Sequence, residues 1–295
     1  MKGDYLNNIL IIGNGFDTSH FNEIPYLKSI NSFNSLKNKV EIENKEILNK
    51  INNTEGINNN WNNIERVKPQ LEEEEVNLFL TIVKNWSDDI DEKAINHKKL
   101  LFKPSFKNII EEDNFIVLSL NYTNLINNIY GVSKNNIVQL HVGNNGLPYM
   151  DFNDTYVPNN NNFKKVFGFD IEEIANSQKI AIGLEKEKEI LKRQINKNET
   201  EVNVYIFGAS LDGVDFKYFK CLIYYLNNNC KYMQDINIYI KRYGNNCEEF
   251  EWIKKMKTFF SNNPIRMNLR YNNIKMEENK DEEWLNIIIS RKVVY

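Results

Sequence analysis

Ile9-Leu10-Ile11-Ile12 places four branched apolar side chains in a row. The run is too short for a buried helix and has the length of a strand covered on both faces. Gly13-Asn14-Gly15 follows at once, where such a strand would turn into a helix. Glycine lets the backbone turn sharply, and the amides at the next helix's N-terminus can then approach a phosphate. Strand-to-helix turns of this kind collect at one edge of an open α/β sheet, the edge where ligands bind. The glycine pattern alone is a weak sign of a ligand. Thr18 stands where a G-x-G-x-x-G fingerprint has its third glycine, and a tight turn holding nothing has the same pattern.

The rest of the chain repeats the strand-then-turn theme. Apolar runs predict strands over 115–120, 137–140, 202–207, 236–240 and 265–271, with a short one over 165–170. Helical patterns predict helices over 124–130, 185–196, 214–226, 248–260 and 282–289, the first ending at Gly131 as a C-cap. Between 40 and about 106 apolar residues recur at three- and four-residue spacing, as in Val76, Leu80, Val83 and Trp86, with no strand-like run. Trp61 within it reads as a core anchor, and the acidic run Glu72 to Glu75 as a solvated face. Residues 144–163, rich in Asn, Pro and Gly, read as a long loop. Strands alternating with helices predict an α/β protein with a Rossmann-like parallel sheet. The expected organisation is a single domain over 1–295 with a helical insertion, 35–112, after the first strand.

Composition narrows the function classes. A net charge of −3 sets up no field that would draw in nucleic acid or an anionic membrane, so neither is an expected partner. The three cysteines show no C-x-x-C spacing, which speaks against a disulfide frame or a zinc site, and no other metal-ligand spacing is present. No basic-then-apolar leader opens the sequence and no apolar run nears the ~18 residues of a membrane span, so a cytoplasmic location is expected.

Four polar clusters each follow a predicted strand: Gly13 to Asp17, Asn121-Tyr122-Thr123, His141-Val142-Gly143 and Gly208 to Asp212. In a parallel sheet they meet at one edge and can surround a common ligand. His141 at a strand end suits general base work near neutral pH, and a half-buried histidine satisfied by a carbonyl fits equally well. His20 is either a pocket residue or a loop histidine without a role, the latter favoured, and His97 reads as a surface residue. Asn121 can orient a water or a ribose hydroxyl, or it can cap the following helix. Asp212 and Asp215 can bind ribose hydroxyls, although Asp212 as a cap is the simpler reading. Ser210 lacks the G-x-S-x-G elbow of a nucleophile.

On these residues the sequence resembles the AbiH family of bacterial phage abortive-infection proteins. The resemblance rests on Gly13 to Asp17 after the first strand, Trp61 with Glu65, Asn121 to Thr123, His141, and Gly208 to Asp215, in that order along the chain. Three departures stand out. Glu23-Ile24-Pro25 replaces a Gly-Leu-Pro segment, Val142 splits a His-Gly pair, and Ala209 stands where the family pattern has a histidine. The family in turn is similar to sirtuin-like proteins, in which a glycine-rich turn holds NAD.

The resemblance implies a sirtuin-like core, a role in phage defence, and NAD or a related nucleotide as substrate, with hydrolysis to nicotinamide and ADP-ribose. Asn121 and His141 take the catalytic roles by that likeness. Gly13, Asn14, Gly15, Phe16, Asp17, Tyr122, Gly208, Ser210 and Asp212 would hold the nucleotide, without a metal. A phage-derived trigger is an implied partner, and a homo-oligomer stays open. The alternatives are a nucleotide-binding sensor that signals through a partner and, less favoured, a toxin cleaving nucleotides or nucleic acid. A dehydrogenase is disfavoured by the missing third glycine and by the lack of a ribose-binding acid after the second strand.

Overall fold

The computed structural model describes residues 8–57, 61, 64, 69–104, 106–107, 110, 115–142, 146–148, 201–209, 215, 218–219, 222, 235–241 and 274–279. Strand β1 (Asn8–Ile12) is followed by helices α1 (Asn14–Phe21), α2 (Pro25–Ile30), α3 (Phe33–Glu43), α4 (Lys45–Asn52), α5 (Glu73–Asn96) and α6 (Lys98–Leu101). Then come β2 (Phe115–Ser119), α7 (Leu125–Tyr130), β3 (Ile137–Gln139), β4 (Glu201–Phe207), β5 (Asp235–Lys241) and β6 (Ile274–Asn279).

The six strands among the described residues run parallel in the order β3-β2-β1-β4-β5-β6. The parallel α/β architecture expected from the alternation is present. β1 lies inside the sheet, with Leu10 opposite both Val117 and Tyr205, and Ile11 opposite both Leu118 and Ile206. Ile9 to Ile12 are all buried, which is why this strand carries no polar alternation. Leu10, Ile12, Val117, Tyr205 and Phe207 join a cluster with Phe16, Phe21, Trp61, Phe79 and Val83 from the helical side. Trp61 is core, as its spacing suggests, and its indole Nε1 donates to Asn52 Oδ1 at 2.9 Å.

The segment after the glycine turn is helical from Asn14 onward, and Pro25 opens α2 at its first turn, where proline is tolerated. The acidic run at 72–75 is more than a solvated face. Three of its residues fill the first turn of α5, where carboxylates complement the helix dipole, and Glu75 accepts the Glu72 backbone N–H at 2.9 Å. Gly131 ends α7 in the left-handed conformation at φ 73°, as a C-cap glycine should. The last described strand is Ile274–Asn279. The stretches 265–271, 165–170, 185–196, 248–260 and 282–289 lie outside the described residues, and of 214–226 only Asp215, Tyr218, Phe219 and Leu222 are described, all helical. Among the described residues, no helix is long and apolar enough to cross a membrane.

Sheet order reverses direction between β1 and β4, since β2 and β3 follow β1 on one side while β4 to β6 build out on the other. Such a reversal opens a crevice at the carboxyl ends of the strands.

Candidate functional site

At that crevice the turn after β1 and the turn after β4 are locked together through the backbone. Gly13 N–H donates to Phe207 O at 3.1 Å, Gly15 N–H to Gly208 O at 2.8 Å, and Phe16 N–H to Gly13 O at 2.8 Å. Gly208 sits at φ +67°, a conformation that favours glycine. A Cβ there would lie 2.2 Å from the Phe16 nitrogen, and one on Gly15 would lie 2.6 Å from the Gly208 Cα. The glycines therefore serve close backbone packing. Gly15, expected to face a phosphate, has its amide occupied by Gly208. Phe16, also expected at the ligand, is fully buried among His20, Phe106 and Phe207 and lies off the cleft.

A cleft of about 190 Å³ opens beside this lock. Of the sequence-predicted residues, it is lined by Gly13, Asn14, Asp17, Asn121, Tyr122, His141 and Gly208. Ser210 and Asp212 lie outside the described residues. The helical segment adds Asn31, Ser32, Phe33 and Trp86 to the wall, while Thr123 and Asp215 add polar groups. Among the described residues the lining holds no lysine or arginine.

Asp17 lies at the heart of the polar side. It is 1 % exposed, and its Oδ1 accepts from Asn121 Nδ2 at 2.8 Å while its Oδ2 accepts from the Thr123 hydroxyl. Burial pushes its carboxyl up to about 7, the Thr123 hydrogen bond pulling it down and nearby Asp91 adding to the rise. Asn121 is not the cap of α7; Asn124 takes that place in the chain. With its amide nitrogen engaged by Asp17, the Asn121 Oδ1 is buried with no hydrogen-bond partner among the described groups.

The loop carrying Asn121 is pinned from behind. Asp91 on α5 accepts the Asn124 backbone N–H with both oxygens at 2.9 Å and its Nδ2 at 3.0 Å, and burial raises the Asp91 carboxyl to about 6. Gln139 Nε2 donates to Asn124 Oδ1 at 3.0 Å and to Thr123 O at 3.3 Å. Aromatic rings continue the wall. Phe33 stacks on Trp86 at 6.4 Å, Trp86 meets Tyr122 at 6.5 Å, and Tyr122 meets the His141 ring edge-on at 5.3 Å.

His141 is 4 % exposed, and its Nε2 lies 3.1 Å from Asp215 Oδ1. A carboxylate at Nε2 holds the proton there, which makes Nδ1 the basic nitrogen of the neutral ring. The pairing spans 74 positions of sequence, and only the strand-end placement of His141 and the position of Asp215 at a helix start hinted at it. His20 is neither a loop residue nor a cleft residue. It is buried in α1, where Nδ1 donates to Phe16 O at 2.8 Å and Nε2 accepts from the Tyr130 hydroxyl.

Chemically the arrangement combines a carboxylate near neutrality, an oriented amide and a histidine backed by a carboxylate, with aromatic faces for a planar ring. A family model described as bacteriophage abortive infection AbiH matches residues 66–235, more than half of the chain. That span includes Asn121, His141, Gly208 and Asp215 and excludes the Gly13–Asp17 turn. Neither a curated protein nor a solved structure matches the chain.

Proposed function

The chain belongs to the AbiH family of bacteriophage abortive infection, and from that premise we propose that its cleft binds NAD or a related nucleotide and hydrolyses the N-glycosidic bond. One observation carries the reading: the buried, unmatched Asn121 Oδ1 lines the same cleft as the His141–Asp215 pair. The sheet order, which matches that of doubly wound dinucleotide-binding sheets, and the crevice at its reversal support it.

In this reaction a water attacks C1′ of the nicotinamide ribose. The C1′–N bond breaks with its electron pair, and the positively charged nicotinamide leaves as a neutral base. Asn121 Oδ1 accepts a hydrogen bond from the water and orients it. Nδ1 of His141 takes the proton the water loses, and Asp215 stabilises the imidazolium that results. The Phe33–Trp86–Tyr122 wall offers apolar faces to a planar ring. At about 190 Å³ the cleft lies below the ~300–1,000 Å³ of ordinary ligand pockets, so the described walls suit one ribose and ring. A phage-derived trigger would act upstream of this step.

A second reading, a nucleotide sensor without turnover, is favoured by Ala209, which lines the cleft where the resembled pattern carries histidine. Cellular NAD after phage challenge separates the two, comparing bacteria that express the native chain with bacteria that express His141→Ala. A fall in NAD only with the native chain supports hydrolysis. Protection with steady NAD rejects hydrolysis and leaves the sensor.

A further inference from the structure

Asn121 is 5 % exposed and shares the cleft wall with Asp17. Its Nδ2 donates to Asp17, and the carbonyl oxygen of the same amide has no partner among the described groups. A buried acceptor left unmatched is costly unless a ligand supplies the donor. The other Asp17 oxygen accepts from Thr123, two residues along the same loop. An ionised carboxylate can only accept, so it dictates which end of the Asn121 amide faces it.

We propose that Asp17 is a positioning residue that sets the polarity of the cleft. With its carboxylate ionised, Asn121 presents an acceptor and selects a hydroxyl donor, on a water or a ribose. With a proton on Asp17, the amide turns over and presents a donor instead. The proposal deepens the nucleotide reading of this cleft and rests on it.

The geometry allows the turnover because a protonated carboxyl has one O–H to give and Asn121 Oδ1 belongs to the amide already in contact with it. Thr123, donor and acceptor both, can stay on the other oxygen. Among the described residues the titratable surroundings are few. Asp91 on α5 repels the Asp17 charge, and His141, Asp215 and Tyr122 share the cleft. His20, one turn further along α1, is engaged by Tyr130. Burial dominates and places the Asp17 proton near neutrality, so both states fall within reach of ordinary conditions.

The test uses the full chain labelled with 15N-asparagine, first without ligand. The Asn121 side-chain amide signal, assigned by its absence in Asn121→Ala, is followed from about pH 5 to about pH 9. We expect one transition near pH 7 in the native chain, a higher midpoint in Thr123→Val, and none in Asp17→Asn. A native signal indifferent to pH, or a transition that survives Asp17→Asn, overturns the proposal. Thr123→Val keeps side-chain size and serves if Asp17→Asn fails to fold; an unmoved midpoint there also counts against it.

Calorimetric titration with NAD should then show about tenfold tighter binding above the midpoint than below it. An NAD analogue lacking the nicotinamide-ribose hydroxyls identifies the donor. Loss of the pH effect in the analogue names the ribose, and its persistence names a water. If NAD fails to bind at any pH while the amide transition is intact, the nucleotide reading falls and the role of Asp17 stands. NAD binding without the transition refutes the present proposal alone.

Discussion

After β1 the chain turns through Gly13-Asn14-Gly15, and after β2, its neighbour in the sheet, through Leu120-Asn121-Tyr122-Thr123. The two turns lie side by side, with Leu120 N–H donating to Ile12 O at 2.9 Å. In the first, the amides of Gly13 and Gly15 are used by the backbone after β4. In the second, side chains line the cleft and Asp17 on α1 holds two of them, Asn121 and Thr123, while Asp91 on α5 pins the backbone just beyond them at Asn124. A glycine-rich turn at a strand end thus need not be where ligand chemistry is done. Here it fixes how closely two strands' turns approach, and the neighbouring loop carries the functional groups.

The contact between the turns after β1 and β4 is most sensitive at Gly208. Gly208→Ala forces a Cβ against backbone atoms of Gly15 and Phe16 that cannot move independently, and at a positive φ. We expect a loss of more than about 4 kcal/mol, seen as little or no folded protein in thermal denaturation. A variant melting like the native chain would show that the lock is loose.

Next comes the pH dependence of stability. The Asp17 pKa is raised from an ordinary 3.8 to about 7, so between these values the folded chain keeps a proton that the unfolded chain has lost. Its contribution is fully present below about pH 4 and lost as pH rises through about 7. Three pH units correspond to a span of about 4 kcal/mol at most. Urea unfolding of native and Asp17→Asn chains across that window should show the native losing stability relative to the variant as pH rises. Parallel curves would place the titration elsewhere.

A smaller effect sharpens the second turn. Asp91→Ala leaves the Asn124 backbone N–H and side-chain amide without their acceptor, which should cost about 2 kcal/mol in urea unfolding. An unchanged midpoint would mean that the loop holds itself. Smallest of all, Asn31→Ala removes only an exposed clasp, Asn31 Nδ2 to Asn14 Oδ1 at 2.9 Å. A stability loss under about 1 kcal/mol is expected. A larger loss would show that the first turn depends on side chains after all.

Legibility followed burial. β1, β2 and the Val204 to Phe207 end of β4 carry apolar runs because neighbours flank them on both sides and the residues are buried, and their positions could be read directly. β6 reads Ile-Lys-Met-Glu-Glu-Asn, a run with little apolar pattern. Among the described strands it lies at the edge with one paired side, where a charged sequence is tolerated and guards against edge pairing. The convergence of strand-end loops on one cleft was legible because parallel topology demands it. Which atoms meet was not. Asp17 and Asn121 lie 104 positions apart, and nothing local to either marks the other as its partner. Phe16 and Gly15 are outside the lining of this cleft, since a motif-like neighbourhood says nothing about the direction each faces.

The place of β4 beside β1 has a consequence for how the chain is made. β1 leaves the ribosome well before its second neighbour, which begins only at Glu201. At ordinary bacterial elongation rates the intervening stretch takes on the order of ten seconds to synthesise. Throughout that interval β1 lacks its β4 neighbour, and the cleft lacks Gly208, Ala209 and Asp215 from its lining. An interrupted nascent chain would carry Asn121 and His141 in an unfinished wall. Assembly of the site is therefore timed by translation itself, and becomes possible only once the chain has been made through Asp215.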